Sequence, residues 1–163
     1  MADAETCAAV ASDFAFERYF LGRTRGHGIL QDRRGGVRRR FTVDMDGVRA
    51  ADGALRLSER LLFDDGEQLD REWTVRAGGD GHFCAWAEDV QGPASGETRG
   101  GTVRWRYVLR IALGGRQWHV DMDDWMYALP DDVVLSRTRL SKWGVTLASM
   151  TVTYRRSEPE PPR

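Results

Sequence analysis

Apolar and polar residues alternate with a period of two along most of the chain from Val37 onward. Such alternation is typical of a half-buried β-strand, because successive side chains point to opposite faces of a sheet. The clearest case is residues 102–113, where apolar positions alternate with arginines. The pattern predicts strands over residues 38–47, 54–63, 67–75, 82–90, 102–113, 116–127 and 149–156.

The segments between these strands are short and rich in glycine and aspartate, as at residues 64–66, 78–81 and 114–115. Turns of this length join antiparallel neighbours, whereas parallel strands need long crossovers. A meander of at least seven strands usually curls, closes or splits. We therefore predict an all-β fold, a closed or nearly closed antiparallel β-barrel, with a flatter sandwich as the alternative.

A short N-terminal helix is predicted over residues 12–20, with Ser12 or Asp13 as its N-cap. Placed before the first strand, this helix would plug one end of the barrel. The length of 163 residues suits one domain rather than two.

The domain is predicted to span residues 12–156. Residues 1–11 are predicted to be a flexible N-terminus. Residues 157–163, SEPEPPR, carry no apolar pattern and are predicted to be a disordered tail.

The Gly114-Gly115 turn predicts the register of its hairpin, since a two-residue loop pairs Leu113 with Arg116. The pairs that follow are apolar on both sides: Ile111 with Trp118, Leu109 with Val120, and Tyr107 with Met122. The same register places Trp105 opposite Asp124, and Val103 opposite Met126. Asp124 is then expected to point inward, where an unpaired carboxylate is costly and needs a partner or a raised pKa.

A second polar feature is predicted where Glu59 approaches Arg71. If residues 64–68 form the loop between two strands, Phe63 lies opposite Leu69. Glu59 then lies diagonal to Arg71 on the same face of the sheet, within reach of its long side chain.

The next hairpin adds Asp89 to this feature. If residues 76–82 form its loop, Arg71 lies opposite Ala87 and diagonal to Asp89. Glu59, Arg71 and Asp89 are then expected to form an acid–base–acid cluster inside the barrel. Three interpretations stay open for such a cluster: a hydrated rim, a structural ion network, or part of a ligand site.

Composition and charge limit the classes of binding partner and the location expected for the protein. The net charge is −1, and acidic residues interleave with the 24 basic ones, so no concentrated positive surface for nucleic acid is expected. No apolar run is long enough for a transmembrane segment. The N-terminal residues show no secretory signal pattern, which favours a cytoplasmic location.

Metal and cofactor chemistry has little support in the sequence. Cys7 and Cys84 form no metal spacing and are expected to be free thiols. His27, His82 and His119 have no partner at a zinc spacing. We therefore predict no metal site and no cofactor.

The segment DMDDW concentrates three carboxylates, Asp121, Asp123 and Asp124. In a strand the first two face away from the third, so they do not form one cation site. Trp125 and Tyr127 share the face opposite Asp124, where they could pack under a helix or against a partner subunit.

Two segments resemble a family of bacterial proteins, the domain-of-unknown-function family 3833, many of whose members are named as lipoproteins. They are residues 26–47, which contain QDR, and residues 121–154, which contain DDWMY and SKWG. Weaker similarity over residues 88–107 extends the resemblance to nearly the whole chain. Cys7 follows DAET rather than a lipobox, so lipoprotein anchoring is not expected here.

The family has no assigned activity, so the resemblance informs the fold more than the function. It implies a calycin-like (lipocalin-like) barrel. It also implies that a set of motif positions is of interest: Asp32, Arg33, Asp123, Asp124, Trp125, Met126 and Lys142.

The function favoured by the sequence is the binding of a small, largely apolar molecule inside the barrel, by a monomer or weak homodimer. The predicted wall residues are Trp73, Trp105, Tyr107, Met122 and Met126, with Arg71 and Asp124 as polar anchors next to Glu59 and Asp89. One alternative is an isomerase, cyclase or hydrolase that uses Asp124 with Glu59. The other is a protein-interaction module that docks through Trp125 and Tyr127.

Overall fold

A computed structural model describes residues 15–157 of the chain. These residues form one short helix and ten strands. In chain order they are α1 Phe16–Tyr19, β1 Gly22–Asp32, β2 Val37–Arg49, β3 Leu55–Phe63, β4 Gln68–Ala77, β5 His82–Trp86, β6 Val90–Arg99, β7 Thr102–Leu113, β8 Arg116–Leu129, β9 Val133–Lys142 and β10 Val145–Arg156.

The ten strands form a closed antiparallel barrel in which each strand pairs with its neighbours in the chain. Closure comes from β1, which pairs with β10 as well as with β2. The predicted fold class, an antiparallel barrel with a short N-terminal helix, is confirmed, and the sandwich alternative is wrong.

Three strands, β1, β6 and β9, were not predicted, because their inward positions lack an apolar alternation. The inward residues of β1 include Thr24, Gly26 and Gly28, and those of β9 include Ser136 and Thr138. Strand β6 is also interrupted by an irregularity in its pairing with β7. A strand whose inward residues are small or polar lacks the alternation of apolar and polar positions, so hydrophobic periodicity does not predict it.

Glycine in β1 has a packing reason. A Cβ atom added to Gly28 would lie 2.6 Å from the ring of Phe41, which occupies that space inside the barrel. A larger residue at this position would have to displace a buried aromatic ring.

The register predicted for the Gly114-Gly115 hairpin is confirmed at every pair. Strands β7 and β8 pair Leu113 with Arg116, and the pairing continues in step to Val103 with Met126. Trp105 lies opposite Asp124, as predicted.

The register predicted between β3 and β4 is wrong by two residues. Leu69 lies opposite Leu61 rather than Phe63, and Glu59 lies directly opposite Arg71 rather than diagonal to it. The turn is shorter than assumed, since the Phe63 amide already donates to the carbonyl of Glu67. A slip of two residues keeps every side chain on its predicted face.

The register predicted between β4 and β5 is also wrong by two residues, and the predicted strand over residues 82–90 is too long. Strand β5 ends at Trp86, which pairs with Thr74. Ala87 therefore does not lie opposite Arg71, and Asp89 belongs to the turn between β5 and β6. Asp89 still reaches Arg71 from this turn.

Helix α1 is shorter than predicted and begins at Phe16, with Ala15 as its N-cap and no side-chain cap hydrogen bond. The predicted caps, Ser12 and Asp13, lie outside the described residues.

The helix closes one end of the barrel through its aromatic side chains. Phe16 and Phe20 are fully buried. The ring of Phe16 stacks on Phe83 with centroids 4.9 Å apart, and Phe20 meets Tyr154 edge to face at 5.4 Å. The predicted plug is therefore present, made of aromatic contacts rather than of a long helix.

Candidate functional site

The interior of the barrel holds a cavity of about 180 Å³. Its wall is largely apolar. Eight of the predicted ligand-binding residues line it: Glu59, Arg71, Trp73, Trp105, Tyr107, Met122, Asp124 and Met126. The ninth, Asp89, binds Arg71 from the β5–β6 turn. The residues are thus brought together around one cavity, and their role in binding stays a prediction.

Aromatic rings form one side of the wall. The ring centroids of Trp73 and Trp105 are 4.8 Å apart, and Tyr107 lies 5.0 Å from Trp105 and 5.3 Å from Trp73. Such tilted and edge-to-face contacts fix aromatic side chains against one another. This side of the cavity is therefore expected to be rigid.

Methionines give the rest of the wall a different character. Four of them line the cavity: Met45, Met122, Met126 and Met150. Their unbranched thioether side chains change rotamer readily and fill irregular spaces. The cavity can therefore adapt its shape on the methionine side.

The predicted acid–base–acid cluster is present. Arg71 Nε and Nη2 donate to the two carboxylate oxygens of Asp89 at 2.9 Å, and Nη1 donates to Glu59 Oε2 at 3.1 Å. Trp73 Nε1 donates to the same Glu59 oxygen at 2.8 Å. The side chains of Arg71 and Glu59 are only 12% and 14% exposed, whereas Asp89 is 41% exposed, so the network is nearly buried at Arg71 and Glu59 and meets solvent at Asp89.

The charges in this network settle the state of Arg71. Burial alone lowers the pKa of Arg71, but the charge of Glu59 and the hydrogen bond to Asp89 outweigh it and hold that pKa above its usual value. The guanidinium therefore stays charged and each of its nitrogens has a carboxylate partner.

Asp124 points inward as predicted and is 5% exposed. Trp105 Nε1 donates to its Oδ2 at 2.8 Å, and Ser136 Oγ donates to its Oδ1 at 2.7 Å. Burial raises the pKa of Asp124, and hydrogen bonds from Ser136, Trp105 and Thr138 oppose the rise without cancelling it. Both carboxyl oxygens are occupied by the protein, so the residue joins β7, β8 and β9 across the wall.

Replacing Asp124 with asparagine is expected to stabilise the protein increasingly as pH rises. A folded-state pKa above the unfolded value gives stability that is present below the ordinary carboxyl pKa of 3.8 and lost as pH rises through the folded pKa. Asparagine does not titrate, and it can still accept from Trp105 and donate to Ser136. Urea unfolding of both proteins from about pH 4 to about pH 8 measures the difference.

Asp123 provides a control of opposite sign on the same strand. The hydrogen bond from Arg104 holds the pKa of Asp123 below its usual value, so its stabilisation is present above the ordinary carboxyl pKa and lost at lower pH. Asp123→Asn should therefore be less stable than the parent near pH 7. An Asp124→Asn protein whose stability tracks the parent at every pH would contradict the raised pKa.

The motif positions outside the cavity have structural partners on the surface. Asp32 closes the β1–β2 turn by accepting from the amides of Arg34 and Gly36 and from Arg38 Nε, while Arg33 lies exposed in that turn.

The remaining motif positions lie on the outer face and at the β9 end. Arg104 forms a bidentate pair with Asp123, and its guanidinium lies 4.6 Å from the ring of Trp125. Lys142 Nζ lies near the rings of both Trp118 and Trp143. These positions do not line the cavity, and docking through Trp125 and Tyr127 stays a prediction.

Sequence reasoning missed several residues of the wall. Ser136 and Thr138 were missed because polar inward residues concealed β9. Tyr154 and Met150 could have been found, since alternation in SMTVTYRR places them with Val152 on one face. The inward-facing Ser136 and Thr138 of β9 provide hydrogen bonds to the buried Asp124.

Among the described residues, no group of three or more His, Cys, Asp or Glu side chains is arranged to hold a metal ion. Within residues 15–157, no helix is long and apolar enough to cross a membrane.

Fold and site together define a small antiparallel barrel of a calycin-like (lipocalin-like) fold class, with a cavity inside it. Within that class, the chain belongs to the family described as "Protein of unknown function (DUF3833)", whose profile matches residues 1–156. The resemblance recognised in the sequence is thereby confirmed. No curated protein sequence matches the chain.

Two solved structures share the fold. The S-type phycobiliprotein lyase of Guillardia theta aligns with a TM-score of 0.66 at 10% identity, covering 94% of this chain and 98% of the lyase. A protein of unknown function from the DUF3598 family of Nostoc punctiforme aligns with a TM-score of 0.58 at 14% identity. That alignment covers 86% of this chain, which spans about half (49%) of the longer protein.

Proposed function

We propose that this protein binds a small, largely apolar molecule in the cavity of its barrel. The observation that carries the proposal is the cavity itself, a space of about 180 Å³ walled by aromatic, aliphatic and methionine side chains. Well-packed interiors contain few voids larger than a water molecule, so a space of this size needs an explanation. A ligand site is one that also accounts for the converging polar groups.

The size of the cavity limits the occupant. An apolar cavity of about 150 Å³ in another protein binds benzene, so a molecule with a single ring is the expected scale here. Drug-sized pockets begin at about 300 Å³. Rotamer changes of the four methionines would be needed before anything much larger could enter.

The likeness to the phycobiliprotein lyase is one of fold alone, at 10% identity, and supports only that this type of barrel suits the proposal. The aromatic, methionine and polar side chains that line the cavity support the proposed binding more directly. A cytoplasmic location and a monomer or weak homodimer remain predictions, which cell fractionation and light scattering would test.

The direct test is native mass spectrometry of freshly purified protein, combined with titration by a lipophilic fluorescent dye. A co-purified small molecule, or saturable dye binding at one site, is expected. Protein that carries no bound species and takes up no dye would refute the proposal.

Leu61 and Leu62 offer a matched pair of variants, because one lines the cavity and the next is 47% exposed on the outer face. Leu61→Phe is expected to fill part of the cavity and weaken dye binding by about tenfold or more, at an overpacking cost of about 1–3 kcal/mol. Leu62→Phe should bind dye like the parent protein. Equal binding by both variants would place the dye outside the barrel.

A further inference from the structure

We infer that the molecule bound in the cavity is uncharged and carries a hydrogen-bond acceptor, such as a carbonyl oxygen, that receives hydrogen bonds from the hydroxyls of Tyr107 and Tyr154. This inference rests on the proposed function, since it names the chemistry of the ligand at that site. Three observations carry it: two phenol hydroxyls without partners, an arginine whose charge is already balanced by carboxylates, and an excess of carboxyl groups.

The unused donors are the two phenol hydroxyls. Tyr107 and Tyr154 both line the cavity; Tyr107 is part-buried and Tyr154 is 5% exposed. Neither hydroxyl has a hydrogen-bond partner within residues 15–157. The two hydroxyls are not among the fully enclosed unpaired atoms of the described residues, so they open onto the cavity, where an occupant can pair them. An acceptor on a ligand would satisfy both.

The two phenols stay protonated and therefore able to donate. Burial raises the pKa of Tyr107 and of Tyr154, and the charges of Glu59 and Asp124 raise both further, although Arg71 partly opposes the rise at Tyr107. Tyr107 also raises the pKa of Tyr154, and both side chains line the same cavity.

The neighbouring carboxyl groups do not take up these donors. Asp124 accepts from Trp105 and Ser136 on its two oxygens. Glu59 Oε2 accepts from Arg71 and Trp73, while Glu59 Oε1 accepts no hydrogen bond from the described residues, the phenol hydroxyls included. The hydrogen-bonding capacity left facing the cavity is therefore mainly that of donors.

Arg71 is the one cation among the described residues that line the cavity, and its nitrogens are all engaged by Glu59 and Asp89. Counting Asp124 elsewhere in the wall, the cavity and its ion network hold three carboxyl groups and one guanidinium. A carboxylate ligand would find the charge of Arg71 already balanced by Glu59 and Asp89, and burying an unpaired charge is costly. For a cationic ligand, Glu59 Oε1 is the one oxygen of Glu59, Asp89 and Asp124 without a hydrogen bond among the described residues, and burying the ligand's charge would be costly.

The experiment uses single-ring probes of nearly the same shape: acetophenone, which carries a carbonyl acceptor, and cumene, which does not. Each is titrated by calorimetry into the parent protein, Tyr107→Phe and Tyr154→Phe. Because cumene is the more hydrophobic probe, the informative quantity is how each substitution changes the affinity for each probe. Tyr127→Phe, on the outer face, is the control.

Each cavity substitution is expected to weaken acetophenone binding by about 3- to 10-fold, the effect of one lost hydrogen bond, and to leave cumene binding equal or tighter. The urea midpoint of Tyr154→Phe should stay equal or rise, because the deleted hydroxyl has no partner among the described residues. Benzoate and protonated 1-phenylethylamine, charged molecules of similar shape, should bind the parent at least about tenfold more weakly than acetophenone.

The outcomes separate this inference from the proposed function. If cumene and the dye bind but Tyr107→Phe and Tyr154→Phe weaken both probes equally or neither, the acceptor inference is refuted and the cavity still binds apolar molecules. Benzoate or the amine binding as tightly as acetophenone refutes the uncharged ligand. If no probe and no dye binds, the proposed function fails and this inference fails with it.

Discussion

Replacing Arg71 with methionine is expected to lower the free energy of unfolding by about 3–5 kcal/mol, the cost of breaking a buried ion pair by removing one partner. Methionine fills a similar volume, so the loss comes from Glu59, whose nearly buried carboxylate would keep only the hydrogen bond from Trp73. Asp89 is 41% exposed and can turn toward water. Urea unfolding with a fixed m-value measures the change.

Arg60 is the matched control, since it lies next to Glu59 on β3 and pairs with Asp70 on the outer face of the barrel. Both partners are more than half exposed, and surface pairs contribute about 0–1 kcal/mol. Arg60→Met should therefore be nearly as stable as the parent. If the two variants lose the same stability, the buried network has no special energetic role.

Replacing Gly47 with alanine is expected to displace helix α1. A Cβ atom at this position of β2 would lie 1.9 Å from the carbonyl oxygen of Phe20, a backbone atom that no rotamer change can move away. The chain after α1 must shift, and Phe16 and Phe20 lose their place in the core. Exposing both phenylalanines would cost about 3–6 kcal/mol, at about 1.5–3 kcal/mol for each buried side chain.

Two measurements check this expectation. Urea unfolding gives the loss of stability, and trypsin cleavage after Arg18, inside α1, should be faster in Gly47→Ala. Gly79→Ala is the control, because nothing lies within 4 Å of its added Cβ and its φ is not positive. It should stay within about 0.5 kcal/mol of the parent. Unchanged trypsin cleavage and stability in Gly47→Ala would show that the helix does not depend on this contact.

The sequence predicted the barrel because strands such as β7 alternate large apolar residues with arginines, and because the Gly114-Gly115 turn defines one register unambiguously. From that turn, Asp124 could be placed inside, opposite Trp105. Longer loops defined the register less well. The registers predicted for the two hairpins that contain β4 were therefore each wrong by two residues. An error of two residues leaves each side chain on the same face of the sheet, so the contact between Glu59 and Arg71 was still predicted.

Much of the candidate site could not be read from the sequence, for two physical reasons. Ser136 and Thr138 face inward to serve Asp124, which reverses the usual hydrophobic pattern of β9. The size of the cavity depends on how large side chains from distant strands meet, and no local pattern encodes that. Tyr154 lies in a segment whose alternation could be read from the sequence. That its hydroxyl has no hydrogen-bond partner among the described residues could not be.

Closure of the barrel also imposes an order in time on the growing chain. Residues 24–32 of β1 pair with residues 148–156 of β10, and the roughly 120 residues between them take about 6–24 s to add at about 5–20 residues per second. Until β10 has been made, one side of β1 presents unpaired amides and carbonyls to any other chain nearby. Charged residues on an edge discourage such pairing, and β1 exposes Arg23 and Arg25 in its first half. These two arginines are therefore expected to protect the nascent chain from edge-to-edge aggregation until β10 pairs with β1.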